Sequence, residues 1–326
     1  MRRREVIGFA GTTLFAWPLI ARAQQQAKIA RVGVLGFGAL PSAARTEAFR
    51  AGLRDLGYVE GKNLIIEFRW PGTAEQMHEA AAELVRMKVD VIFASSSAEV
   101  EPARRATSTI PIVFATHADP VGVGHVSSLA RPGGNVTGLA AMDPDITPKR
   151  MEILKETLPL ATRFGVLWTT TSPSYRPFLQ AAEETRGKLG VQLLTVSVSS
   201  VADYDGAFAR TAQGRVDAVL VHSSALTVRD NPQRLAEFAL KHRLPTIFLF
   251  RENVIAGGLM SYGPDLIDLW RREAVYIDKI LKGAKPAELP VEQASKFQLV
   301  INLKTARALS LTIPPSIVAR ADEIIE

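Results

Sequence analysis

Short apolar runs rich in β-branched residues alternate along this chain with amphipathic stretches of helical period. The spans 30–35, 64–70, 89–94, 112–115 and 136–139 read as strands. Between them, 42–56 carries Phe49, Leu53 and Leu56 on one face and stops at Gly57, while 74–87 carries Met77, Ala81, Leu84 and Val85. A short helix is expected after Asp119-Pro120, running to about residue 130. The proline- and acid-rich stretch 143–148 reads as a boundary, after which the alternation restarts. Strands follow at 164–168, 191–198, 216–221, 246–250, 257–263 and 297–302, with helices at 174–189, 204–211, 231–242 and 265–282. Near-continuous apolar strands separated by helices of about 10–15 residues mean parallel sheets built from βαβ units.

One element occurs twice. Val89-Asp90-Val91-Ile92-Phe93-Ala94-Ser95-Ser96-Ser97-Ala98 returns 127 positions later as Val216-Asp217-Ala218-Val219-Leu220-Val221-His222-Ser223-Ser224-Ala225. Each copy leads into a helix and then a second apolar run opened by proline, Pro111 in one and Pro245 in the other. The expected fold class is therefore α/β, with two doubly wound parallel-sheet lobes joined by a multi-segment hinge. The first lobe is expected to hold residues 27–143 plus about 256–286, and the second 148–252 plus about 290–326. Ligands of such sheets bind beyond the carboxyl ends of the strands. Two serine-edged lobes facing each other would make a clamp.

The first 23 residues stand apart from this pattern. Arg2, Arg3 and Arg4 precede an apolar stretch over 6–20, and Ala21-Arg22-Ala23 supplies a small-x-small cleavage pattern. About 15 apolar residues are too few for a membrane span, so the stretch reads as a secretory leader cut near Ala23, which would place the remainder in the periplasm. Arg3-Arg4-Glu5-Val6-Ile7 approaches a twin-arginine export signal but lacks the usual Phe-Leu pair.

Without the leader the formal charge drops from +6 to +3, with 35 basic against 32 acidic residues. No basic run interleaved with aromatics follows, which argues against nucleic acid as a partner. With no cysteine in the chain, disulfides, thiolate metal sites, cysteine nucleophiles and a lipidated-cysteine anchor are all excluded. Enzyme signatures fail as well. Gly36-Phe37-Gly38 begins a dinucleotide fingerprint whose third glycine would fall at Pro41, and neither a Gly-x-Ser-x-Gly elbow nor a His-Glu-x-x-His motif occurs. His117-Ala118-Asp119 with His125 lacks a fourth metal ligand. No catalytic residue, metal or cofactor is expected.

Four blocks resemble a known family. The segment from Ala48 to Asn63 (AFRAGLRDLGYVEGKN), that from Ser128 to Gly138 (SLARPGGNVTG), Gly257-Gly258-Leu259-Met260-Ser261-Tyr262-Gly263, and residues 297–314 are similar to bacterial ABC-transporter substrate-binding proteins of the tryptophan/tyrosine uptake type. The resemblance spans the chain beyond the leader. It implies a type I periplasmic-binding-protein fold and delivery of a small polar solute, such as an amino acid or an aromatic or carboxylate-bearing compound, to an inner-membrane ABC permease. A monomer that binds its permease transiently is expected. A sensory module of the same fold, presenting its ligand to a membrane receptor, is the alternative. The chain departs from the family at two pocket positions. Ser95-Ser96-Ser97 stands where many members read Gly-Thr-Pro, and Ala118-Asp119-Pro120 where they read Gly-Asp-Pro.

The candidate ligand-binding residues follow from both lines of reading. Ser95, Ser96 and Ser97 precede a helix, where hydroxyls and free amides together suit a carboxylate; one of them also serves as a helix cap. Ser223 and Ser224 occupy the matching edge of the other lobe. Asp119 is placed to receive an ammonium or hydroxyl, although a cap followed by proline explains it equally. Arg251 is a candidate two-pronged carboxylate clamp, or else the partner of Glu252 in an interlobe ion pair. Phe37 and Phe250 are candidate walls for a planar ligand, with Trp168 and Tyr175 near the same rims. His117 and His222 lie at the predicted rims as lesser donors.

Overall fold

Two sheets organise the molecule, and the chain passes between them three times. The computed structural model describes residues 29–38, 40–224, 226–227 and 232–326, so the predicted leader lies outside the described residues, as do Ala225 and Asn231. The first sheet is built from β1 (Ala30–Leu35), β2 (Leu64–Arg69), β3 (Val91–Ala94), β4 (Ile112–His117), β5 (Val136–Ala140) and the distant β11 (Glu292–Gln293). Its order is β11-β5-β4-β3-β1-β2, and every pairing is parallel. The second holds β6 (Arg163–Thr169), β7 (Gln192–Val198), β8 (Ala218–Val221), β9 (Thr246–Phe248), β10 (Met260–Pro264), β12 (Phe297–Asn302) and β13 (Glu323–Ile325), in the order β13-β12-β10-β9-β8-β6-β7. Only β10 and β12 run antiparallel. Strand positions such as Val91, Ile92, Phe93 and Ala94, or Ala218 to Val221, are buried throughout, as strands covered by helices on both faces require.

Local chemistry fixes the helices that cover the sheets, in chain order α1 (Ala43–Asp55), α2 (Ala74–Arg86), α3 (Ser97–Ala106), α4 (Asp143–Thr157), α5 (Tyr175–Leu189), α6 (Tyr204–Gln213), α7 (Pro232–Lys241), α8 (Arg251–Ile255) and α9 (Leu266–Leu281). Helix α1 (Ala43–Asp55) is capped by Ser42, whose hydroxyl accepts from the Arg45 amide, and buries Phe49 and Leu53. Helix α9 (Leu266–Leu281) starts at Asp265, whose carboxylate accepts from the amides of Ile267 and Asp268. α9 packs across α1 at Gly52, where a Cβ would stand 2.3 Å from the Arg271 carbonyl. Its Trp270 completes a buried aromatic cluster with Phe49 and Phe93, at centroid distances of 6.5 and 5.1 Å.

Two sequence expectations are corrected and one is sharpened. Residues 120–130 form turns rather than a helix, since Asp119 accepts from the Gly122 amide at 2.8 Å and Gly124 takes φ +74°. The boundary expected at 143–148 is where the chain leaves the first sheet for the second, and it takes the form of the first turns of α4 (Asp143–Thr157), which tolerates Pro144 at its start. Finally, β10 belongs to the second sheet, held between β9 and β12, so the chain returns to the first lobe only with α9 and stays there through β11. The backbone bonds of Val291 to Leu129 and of Ala294 to Ala140 keep 291–294 with the first lobe. The passages are thus β5 to α4, β10 to α9, and β11 to β12. Ala141, Ile146, Leu249, Phe250 and Leu266 pack together where these passages meet.

Candidate functional site

The serine loops face each other, as the duplication suggested. One small cavity, of about 30 Å³, is walled by Phe37, Ser96, Ser97, Ala98 and Thr116 of the first lobe and by Thr171, Ser172, Ser223 and Ser224 of the second. A second, also about 30 Å³, shares Thr116, Ser223 and Ser224 and continues to Ser95, Arg45, Phe250, Leu266 and Trp270. Sites for small organic ligands usually span roughly 300–1,000 Å³. The lobes are therefore drawn together here, and admitting such a ligand requires them to part. Wider concavities, about 240 Å³ beside Asp268 and Lys296 and about 380 Å³ beside Leu160 and Leu311, lie away from the serine rims.

The first rim is built at the end of β3. Ser95 is buried, and Ser96 takes the N-cap position of α3 (Ser97–Ala106) without a side-chain cap bond. Their hydroxyl hydrogens turn inward. The Oγ of Ser95 donates to Glu99 Oε1 at 3.0 Å, and Ser96 donates to Glu99 Oε2. Glu99 sits one turn into α3 and is fully buried. These hydroxyls therefore present lone pairs, not hydrogens, to the cleft, contrary to the expectation that they hold a carboxylate. The Glu99 amide is spent on the Ser96 carbonyl, so the donor role falls to the first two amides of α3, those of Ser97 and Ala98. Thr116 bonds the Ser95 carbonyl at 2.7 Å and stiffens the loop.

The second rim follows β8. The Ser223 amide donates to the Asp143 carboxylate at 3.2 Å, while Ser224 and Thr227 exchange bonds of 2.9 and 3.2 Å, closing a tight turn. Thr171 and Ser172 join it from the end of β6. Behind this rim the Asp143 carboxylate and the Arg150 guanidinium pair, both fully buried. Burial pushes the Asp143 carboxyl up from its ordinary range, opposed by Arg150 and by the Ser223 amide.

Other predicted residues are placed elsewhere. Arg251 is half-exposed and grips Glu323 of β13 with two bonds, so it closes the edge of the second sheet and is no clamp. Asp119 spends its carboxylate on the Gly122 turn and lines neither cavity. Trp168 and Tyr175 stack on each other at 4.9 Å instead of walling the cleft. Phe37 and Phe250 do line it. His117 and His222 stand behind the rims, fully buried. Burial holds both well below the usual histidine range, His222 at about 3 with Arg150 adding to the effect. Among the described residues, no group of three or more His, Asp or Glu side chains is placed to hold a metal ion.

Sequence reasoning missed Glu99, Thr116, Ser172, Arg45 and Trp270. Glu99 had a signal: a Ser followed three residues later by Glu at a helix start. Thr171-Ser172 ends β6 just as the duplicated serines end β3 and β8. Trp270 reaches the cleft from a helix more than 170 residues away from Ser95, and no local pattern announces that.

Comparison with known proteins settles the class of such a two-jawed cleft. The family model described as "ABC transporter substrate binding protein" matches residues 32–325. The chain belongs to this family. It is a solute-binding protein of the ABC-transporter class, with a small ligand and a permease as the partners that family implies. A curated relative, the tyrosine-binding protein of Clostridioides difficile (strain R20291), is 27% identical over 266 residues, covering 81% of this chain and 76% of the relative. Two solved structures superpose with TM-score 0.85. A conserved domain protein of Vibrio cholerae is 29% identical and covers 91% of this chain and 100% of that one. An ABC domain from Streptococcus pneumoniae in complex with L-Trp is 27% identical, covering 91% and 99%. These matches carry the type I periplasmic-binding-protein fold assigned above. No helix among the described residues is long and apolar enough to cross a membrane.

Proposed function

We propose that this solute-binding protein captures a zwitterionic L-α-amino acid with an aromatic side chain, between Ser95–Ser97 and Ser223–Ser224, and delivers it unaltered to an ABC permease. The observation that carries this reading is the inward turn of the Ser95 and Ser96 hydroxyls onto Glu99. A rim whose hydroxyls accept, backed by a carboxylate and set beside helix amides that donate, suits a ligand with an ammonium and a carboxylate on adjacent atoms. Phe37, Phe250 and Trp270 supply apolar surface for a ring. The named ligands of the relatives, tyrosine and L-Trp, support the same class.

The protein is exported as a monomer, its leader cut near Ala23, and works in the periplasm. Its lobes part at the three-stranded passage between them, admit the ligand and close, and the closed surface is what the permease recognises.

Calorimetric titration of the purified protein with L-tyrosine, L-tryptophan, L-leucine and succinate tests the reading. Saturable one-site binding confined to the aromatic amino acids, with ligand recovered chemically unchanged, is the expected result. Binding of succinate in preference to every amino acid would overturn it.

A further inference from the structure

Behind the first rim, four side chains form a line from the cleft toward the surface. The Oγ of Ser97 lies 3.3 Å from His117 Nδ1, His117 Nε2 lies 2.7 Å from His125 Nδ1, and His125 Nε2 lies 3.5 Å from Glu101. Ser97 and both histidines are buried, while Glu101 is half-exposed on α3. Histidines packed edge to face at 4.9 Å leave no room for two hydrogens between them, so the direction of each bond can be worked out.

The backbone sets that direction. The amide of Asp119, which can only donate, points at His117 Nδ1 from 3.2 Å. Nδ1 is therefore the acceptor nitrogen, and a neutral His117 carries its hydrogen on Nε2. That hydrogen goes to His125 Nδ1, which leaves His125 with its own hydrogen on Nε2, facing Glu101. Nδ1 then has no hydrogen to offer Ser97, so their 3.3 Å contact is favourable only with the Ser97 hydroxyl hydrogen on it, sharing the one ring lone pair with the Asp119 amide. The amide of Ala118 occupies one lone pair of Ser97 at 2.9 Å. What Ser97 has left for the cleft is a single lone pair.

The local fold makes this arrangement. The pairing of β4 with β5 slips between Phe114 and His117, and such a bulge re-aims the side chain that follows it. Opposite the slip stands Gly138, at φ +141°, where a Cβ would lie 2.1 Å from the Phe114 carbonyl oxygen. The bulge turns the His117 ring against Phe114, at 4.8 Å, and toward α3.

We propose that His117, its tautomer locked by the Asp119 amide and by His125, is a positioning residue that makes Ser97 an obligate acceptor and so selects ligands bearing an ammonium at that point of the cleft. The proposal rests on the amino-acid reading above and deepens it by assigning the ammonium subsite. The charged and titratable groups facing the pair are Glu101 and Arg104 on α3 and Asp119 on the connecting loop, with Asp145 of α4 close to Asp119. Burial, with Arg104 adding to it against Glu101, holds His125 down at about 4, so both rings are neutral and the relay keeps one direction throughout the neutral range.

The test compares L-tyrosine with 3-(4-hydroxyphenyl)propionate, the same molecule without its amine. Loss of a charge-assisted bond corresponds to about ten- to a hundredfold in affinity, so wild-type protein should prefer L-tyrosine by at least that ratio. In His117→Leu the ratio should fall by about tenfold, because Ser97 regains a free hydrogen, while the Glu99-backed rim keeps the remainder. In His117→Asn, whose Oδ1 replaces Nδ1 as acceptor, it should be largely restored. Nitrogen-15 spectra of wild-type His117 give a reading that needs no variant to fold: Nδ1 should show the shift of an unprotonated ring nitrogen and Nε2 that of a protonated one at pH 7. A protonated Nδ1, or a His117→Leu variant as selective as wild type, would overturn the proposal. Should wild-type protein bind no amino acid at all, the amino-acid reading falls, and the ring spectra still decide the relay.

Discussion

Asp143 and Arg150 meet as an ion pair with both side chains fully buried, where α4 leaves the first lobe behind. Arg150 also donates to Thr147 Oγ1 at 2.8 Å and to the Val221 carbonyl at 3.2 Å, and the free edge of Asp143 accepts from the Ser223 amide. One buried pair thus ties the hinge helix to the second serine rim. Removing one partner of such a pair typically costs about 3–5 kcal/mol, because the other charge is stranded. Asp143→Ala should lose that much at every pH, since guanidinium cannot shed its proton in the accessible range. Arg150→Met strands a carboxyl that can take a proton. An acid whose folded pKa is raised stabilises the fold at low pH and loses that contribution as pH rises, so this variant should regain stability on acidification. Urea unfolding at pH 5 and pH 7.5 separates the two, and an Asp143→Ala variant as stable as wild type would sink the account.

Three buried histidines make stability depend on pH in a predictable direction. His117, His125 and His222 are each held below the ordinary value near 6.5 by burial, His125 at about 4 and His222 at about 3. A depressed folded pKa means the unfolded chain takes up protons first. The stabilisation is complete above pH 6.5 and is lost as pH falls toward the folded values. Each histidine should contribute a slope of roughly 1.4 kcal/mol per pH unit in that window. Replacing His222 by Gln should flatten the plot of unfolding free energy against pH between 6 and 4 by one proton, measured by urea titration at constant ionic strength. An unchanged slope would mean that His222 is already charged or accessible in the native state.

The two-sheet fold was legible because buried parallel strands announce themselves twice over, by apolar continuity and by the serines that end β3 and β8. What the pattern missed depends on pairings between distant segments. Whether 257–264 joins the first or second sheet turns on its partners Ile247 and Ile301, not on its own residues. Proline and acid near 143 mark the boundary in sequence, but not that Pro144 opens a helix or that Asp143 meets Arg150 two turns along the same helical face. At the site, the serines were readable but their polarity was not, because Glu99 and His117 decide where the hydroxyl hydrogens go.

Arg251 gives a direct check on that correction. Its side chain is half-exposed and bound to Glu323 on the far edge of the second sheet. Arg251→Ala should leave the affinity for L-tyrosine within about twofold of wild type, a change too small to matter against the tenfold per 1.4 kcal/mol that a ligand contact would register. Stability should fall by no more than about 1 kcal/mol, because solvent screens the pair. Isothermal titration and thermal unfolding report both quantities, and a tenfold loss of affinity would restore Arg251 to the site.

Glu99→Gln probes the rim at its source. The carboxylate accepts from Ser95 and Ser96 together; an amide offers one acceptor and one donor, so one serine must reverse and turn its hydrogen into the cleft. The substitution keeps the volume of a fully buried side chain, yet it removes a negative charge and one outward lone pair. Charge-assisted bonds are about twice as strong as neutral ones, so affinity for L-tyrosine should drop by about tenfold or more. The amine-free analogue gains nothing from an acceptor rim, and its affinity should hold or improve. Ser223→Ala, which removes a hydroxyl from the opposite jaw and leaves the charge unchanged, should weaken both ligands by a similar, smaller factor of about fivefold. Equal losses for both ligands in Glu99→Gln would mean that Glu99 only braces the loop.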